Sequence, residues 1–199
     1  MTYPQKETEE LHLSNITKHA LEESLKRLLL KKPLTKITIN DLTTDCGISR
    51  MTFYYHFKDI YDLVEWACLE ESTRALQGKK TYNTWQEGLL QIFEAVYENK
   101  AFIMNAYNSL SREQIENFLF RLTHDLIMGV VEERSVGTSI TEAQKNFIAD
   151  FYKYSFVGIM LDWIRQGMKA DYTSICTDMC TTLHGNISNS IKNFTNSTE

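Results

Sequence analysis

The sequence predicts an all-α protein, and three observations carry that prediction. Two prolines and eight glycines among 199 residues leave few obligatory turns. Residues of β-branched type seldom alternate with polar ones at the two-residue period of a strand. Apolar residues recur instead every three or four positions, and a 43% hydrophobic content is ample for packed cores. The length suits one small helical domain followed by a larger one, with Gly78-Lys79-Lys80 marking the boundary.

Each element follows from local signals. Residues 1–13, MTYPQKETEELHL, are acidic and lack an apolar core, so they read as an N-terminal tail. A first helix over about 14–31 spaces Ile16, Ala20, Leu21, Leu25 and Leu28 along one face, and Pro33 closes it because the residue before a proline disfavours helical backbone. Thr38 with Asp41 three residues on forms a capping-box pattern, opening a second helix that carries Ile39 and Leu42 inward to about residue 45. Gly47 supplies the left-handed backbone that ends it, Ile48 plugs the gap between crossing helices, and Ser49 caps a third helix starting at Arg50. Asp59 and Asp62 suit the cap and first turn of a connecting helix over 59–77. Beyond 78 the apolar periodicity predicts helices near 83–98, 100–109, 112–134, 141–167 and 171–194.

The third helix has two faces. At about 100° per residue, Arg50, Met51, Tyr54 and Tyr55 share an arc of roughly 140°, while Phe53 points away from it toward Ile39, Leu42 and Ile48. The polar arc offers a guanidinium, two phenols and a thioether, and His56 and Lys58 follow at its end. Such groups suit phosphates and base edges, so residues 14–58 read as a three-helix helix-turn-helix domain that binds DNA.

The run Thr38-Ile-Asn-Asp-Leu42, then Gly47-Ile-Ser49, then Thr52-Phe-Tyr-Tyr-His-Phe-Lys58 and Asp62-Leu63 resembles the DNA-binding signature of TetR-type transcriptional regulators. The resemblance implies that Thr38, Tyr54, His56 and Lys58 contact phosphates, and that Asn40, Arg50, Met51 and Tyr55 read or approach bases. It puts Thr52 at a contact of either kind. It further implies a homodimer on a pseudo-palindromic operator and a small-molecule effector. Two positions depart from the pattern: Ile60 stands where a second lysine often provides a phosphate anchor, and Thr43 where alanine is usual.

Residues 78–199 read as the helical regulatory domain, which binds the ligand and forms the dimer. Trp85, Phe93, Tyr97, Tyr107, Phe118, Met128, Phe151 and Tyr154 are candidates to line a ligand cavity, with His124 beside Asp125 as its polar fixing. Aromatic residues at helical spacing serve a filled core equally well. Phe147, Phe151, Tyr154, Gly158, Leu161 and Ile164 recur at three- or four-residue steps, and Gly158 lets another helix approach closely. Phe147, Gly158, Leu161 and Ile164 therefore predict a dimer seam. Through a tyrosine followed by Gly158-Ile159 and Trp163-Ile164, this stretch also loosely resembles the TetR-type subgroup that includes activators of dihydroxyacetone kinase operons.

Charge is distributed in keeping with DNA binding. The whole chain carries −5, yet residues 14–58 carry +4, against −2 before them and −7 after. No phosphate-binding glycine loop, zinc-protease motif or nucleophile elbow is present, and five scattered histidines suggest no triad, so the sequence predicts neither an enzyme nor a cofactor. Cys176, Cys180 and His184 share a helix face, but at 1.5 Å per residue the outer two lie about 12 Å apart, too far for one zinc ion. No signal peptide or membrane span is apparent, which predicts a cytoplasmic protein with reduced cysteines. The reading is a ligand-responsive repressor; activation, or an interaction module that has lost operator binding, are the alternatives.

Overall fold

The computed structural model describes residues 4–76, 81 and 83–196. Among them every regular element is helical: α1 Pro4–Leu29, α2 Ile39–Cys46, α3 Arg50–His56, α4 Ile60–Leu76, α5 Trp85–Glu98, α6 Lys100–Ser109, α7 Arg112–Ser135, α8 Glu142–Arg165, α9 Tyr172–Leu183 and α10 Asn186–Asn196, with a 3-10 turn at Leu34–Lys36. No described helix is long and apolar enough to cross a membrane.

The chain divides into two compact units. The first takes residues up to Glu70 together with Ala101–Leu110. Its core is built from Leu21, Leu25 and Leu29 of α1, Leu42 of α2, Phe53 of α3, and Leu63, Val64 and Ala67 of α4. Phe102 and Ala106 of α6 complete it, and Asn105 donates to the Leu29 carbonyl at 3.3 Å near the end of α1. The second unit takes Glu71–Lys100 and the residues from Ser111 onward. There α7 packs along α8, and α10 closes on both, burying Ile127, Val131, Ile148, Ala149, Tyr152 and Ile191 together.

Caps set the starts of the long helices. Ser111 with Gln114, and Thr141 with Gln144, form reciprocal capping boxes at α7 and α8. Asp171 caps α9, and hydrogen bonds from Thr173 and Ser174 hold its carboxyl at about 2. Between α8 and α9 the backbone turns left-handed at Gly167 and Met168, φ 75° and 55°, and the Trp163 indole donates to the Ala170 carbonyl at 2.9 Å across the turn.

Three expectations need correction. The first helix starts at Pro4 instead of residue 14, so most of the presumed 1–13 tail is helical; a proline at the first helical position lacks only a donor that would have no partner there. Residues 101–110, expected to pack with the rest of 78–199, group instead with the first unit, because Phe102 and Ala106 bury against its core. The segment expected as one helix over 171–194 breaks at Gly185, φ 72°, which leaves His184 outside α9. The boundary expected at Gly78-Lys79-Lys80 lies outside the described residues.

Candidate nucleic-acid interface and regulatory cavity

The helix-turn-helix forms as its capping residues dictate. Thr38 accepts from the Asp41 amide at 3.2 Å while Asp41 accepts from the Thr38 amide at 2.7 Å. Lys32 pairs with Asp41 at 2.8 Å, and together with the Thr38 bonds it holds that carboxyl at about 2. Gly47 ends α2 at φ 66°, and Ser49 opens α3 by accepting from the Thr52 amide at 3.0 Å. Arg27 of α1 pairs with Asp45 at 2.6 Å, giving α2 a second polar tie. Phe53 is fully buried, as its position on α3 requires. Thr43, one of the departures from the family pattern, is accommodated in the core because its hydroxyl donates to the Asn40 carbonyl at 3.3 Å.

The nine residues expected to meet DNA separate into two groups. Met51 and Tyr55 are 82% and 81% exposed, Tyr54 is 52% exposed, and Asn40, Arg50 and Lys58 are also on the surface. These six present their side chains outward. Thr38, Thr52 and His56 are tied into the fold: the Thr38 hydroxyl donates to Asp41 at 2.7 Å, the Thr52 hydroxyl lies 2.9 Å from the Ser49 hydroxyl, and His56 Nδ1 lies 3.4 Å from the Ser14 hydroxyl. Burial and the nearby Lys18 ammonium lower the His56 pKa from its ordinary value. Its imidazole is therefore biased toward the neutral form, with Nδ1 turned to α1.

The second unit holds a cavity of about 290 Å³. Five elements surround it: the end of α4 with Leu76; α5 with Trp85, Leu89, Ile92 and Phe93; α7 with Leu119, Leu122, Thr123, Leu126 and Val130; α8 with Tyr152, Phe156, Val157 and Met160; and the α9–α10 turn with Leu183, His184 and Ile187. Asn83 and Gln86 add amides to the lining. Trp85 meets Phe156 edge-on, ring centroids 6.2 Å apart.

Of the nine residues expected to bind ligand, only Trp85 and Phe93 line this cavity. Tyr97 packs instead against Trp163 and Tyr172, at 6.2 and 5.5 Å between ring centroids. Tyr107 lies on α6 in the first unit. Met128 packs on the Ile127–Ile191 core, and Phe118 is not in the lining. His124 faces Asp125 and Asp150 at 3.6 and 3.7 Å, while Phe151 and Tyr154 are 61% and 58% exposed. Aromatic content does not pick out this lining because the walls are mainly aliphatic. A usable signal existed on α7, where Leu119, Leu122, Thr123, Leu126 and Val130 follow a three-or-four spacing.

The expected seam residues also divide. Phe147 is 63% exposed, Gly158 faces open space, and Leu161 is half-buried. Ile164 is 5% exposed and belongs to the core, whereas Phe151 and Tyr154 stand on the same exposed stripe as Phe147. Cys176 is likewise a core residue, its thiol pushed up to about 12 by burial, which makes it a poor nucleophile or metal ligand. Among the described residues no group of three or more His, Cys, Asp or Glu is placed to hold a metal ion.

Comparison with known proteins agrees with this architecture. Residues 83–185 match the family model of the transcriptional regulator C-terminal region, TetR_C_8. A relative from Lactococcus lactis subsp. lactis (strain IL1403), the HTH-type dhaKLM operon transcriptional activator DhaS, is 22% identical over 156 residues, which cover 77% of this chain and 82% of the relative. A solved structure described as dihydroxyacetone kinase operon activator DhaS covers 90% of this chain and 98% of its own, with a TM-score of 0.67 at 19% identity, and so shares the fold.

Proposed function

The chain belongs to the TetR-type transcriptional regulators, and from that premise we propose that it binds a pseudo-palindromic operator as a homodimer and answers to a small molecule held in the second unit. It is a regulator of transcription, with DNA as its partner, and not an enzyme. The observation that carries the operator reading is the outward face of α3, where Arg50, Met51, Tyr54 and Tyr55 stand exposed behind a fully buried Phe53. An α-helix presenting such a face fits the major groove, with base edges read by the guanidinium and phenols and phosphates held by Lys58 and the helix flank. We assign Thr38, Thr52 and His56 a secondary part, offering only what their internal hydrogen bonds leave available.

Two-fold symmetry of the dimer demands a two-fold operator. The exposed Phe147, Phe151 and Tyr154 stripe with Gly158 supports pairing through α8. Activation is the favoured sign of regulation, because both relatives are described as activators. Repression, the sign read from the sequence, is the second possibility and requires only that the bound dimer exclude polymerase. We place the protein in the cytoplasm with its DNA.

A gel shift with the full chain and the DNA upstream of its own gene tests the operator reading. A complex that resists excess random DNA is expected. A folded protein that binds both DNAs equally, or neither, leaves an interaction module of the same fold as the better description. A promoter fusion assayed with and without the protein then decides activation against repression.

A further inference from the structure

On the reading that the cavity is the effector site, we propose that it takes an uncharged molecule with an apolar body and one hydrogen-bonding end, and that it rejects anions and polyols. Among the described residues no Lys, Arg, Asp or Glu lines it. An anion entering would surrender its hydration with no cation to replace it, and a cation would find no carboxylate.

Polarity is also unevenly placed. The buried wall is mainly aliphatic, including Leu76, Leu89, Val130, Val157 and Met160 at 9% exposure or less, with Tyr152 as its buried hydroxyl-bearing member. Asn83, Gln86 and His184, by contrast, are exposed, so the amides and imidazole stand where the cavity meets solvent. Within, Thr123 supplies a half-buried hydroxyl, while the Tyr152 hydroxyl lies 3.5 Å from that of Ser190. A ligand is thereby oriented, with its apolar end inward and its polar end toward Gln86 and His184. A triose or glycerol would bring a polar group on almost every carbon into a chamber with too few partners, and each unpaired group weighs against binding. The volume of 290 Å³ equals the liquid share of about ten waters, which suits an apolar chain of moderate length.

Calorimetric titration of the full-length protein with 1-octanol, octanoate and dihydroxyacetone separates these classes, since the first two share an apolar chain and differ in charge. Octanol is expected to bind at least tenfold more tightly than octanoate, and dihydroxyacetone not at all. Shortening the alcohol to 1-hexanol should weaken binding roughly 15-fold, about fourfold per buried methylene. Thr123→Lys places an ammonium in the wall and should move the preference to octanoate. Val157→Trp narrows the chamber and should weaken octanol binding at least tenfold; Leu126→Trp serves the same purpose if that variant does not fold. Octanoate binding as well as octanol, or octanol binding undiminished in the narrowed variants, overturns the proposal. Octanol bound in the cavity with operator affinity unchanged would instead defeat the effector reading and leave the chemistry of the cavity standing.

Discussion

Gly158→Leu separates the stability of one protomer from that of the pair. Gly158 lies within α8, and a Cβ built there meets nothing within 4 Å, so leucine causes no clash inside the protomer. Replacing glycine in a helix interior with a good helix former contributes about 0.8–1.0 kcal/mol to the protomer. The same side chain projects from the stripe on which Phe147, Phe151 and Tyr154 are 63%, 61% and 58% exposed. If a second copy packs closely there, the added bulk costs roughly 1–3 kcal/mol, a loss of about 5- to 150-fold in dimer affinity. The two effects have opposite signs. Sedimentation equilibrium gives the dimer constant, and urea unfolding at several protein concentrations gives the stability of each state. A variant that dimerises as well as the parent would refute the α8 seam, and one less stable as a monomer would refute the claim of open space.

The remaining predictions concern α3 and its supports. Arg50→Ala should cost roughly 1–3 kcal/mol at one base pair of each half-site and relax sequence choice there; equal losses on operator and random DNA would reassign it to phosphate. Lys58→Ala should weaken all DNA alike and reduce the slope of log affinity against log salt by about one, measured by fluorescence anisotropy. Gly47→Ala meets no neighbour but forces a side chain to φ 66°, so denaturant unfolding should register a loss of about 1–2 kcal/mol, with Gly47→Asn milder. His56 has its pKa lowered from 6.5 by burial and Lys18, so protonating it opposes folding and stability should decline as pH falls below about 6.5. A phosphate within reach favours the protonated ring, so over the same window operator affinity should rise, and His56→Gln should flatten both responses.

The first unit was legible because its signals are local. Thr38 with Asp41, Gly47 and Ser49 are spaced by hydrogen bonds that close within four residues, and Phe53 against Tyr54 and Tyr55 is decided by helix geometry alone. What escaped the sequence is long-range. Nothing between Phe102 and Ala106 announces that α6 packs with residues some forty to eighty positions earlier. The lining of the cavity was illegible for a related reason: Tyr97, Phe151 and Tyr154 have the right chemistry for a pocket wall, but the rotation of their helices turns them toward other aromatics or solvent. Ile164 kept the rhythm of the exposed stripe and yet falls inside, because a six-residue pattern along α8 drifts around a helix of 3.6 residues per turn. Thr38, Thr52 and His56 are expected on the DNA-contacting face by the resemblance, whereas their internal hydrogen bonds depend on partners that only the fold brings near.

Hydroxyl-radical footprinting of the full chain on its own upstream DNA tests the central claim most directly. Two protected half-sites related by inverted symmetry are expected, centred about 34–36 Å apart or somewhat more, and a parallel dimethyl sulfate footprint should show a guanine N7 in each half-site losing its protection selectively in Arg50→Ala. Protection without two-fold symmetry, or an unchanged base pattern in that variant, would contradict it.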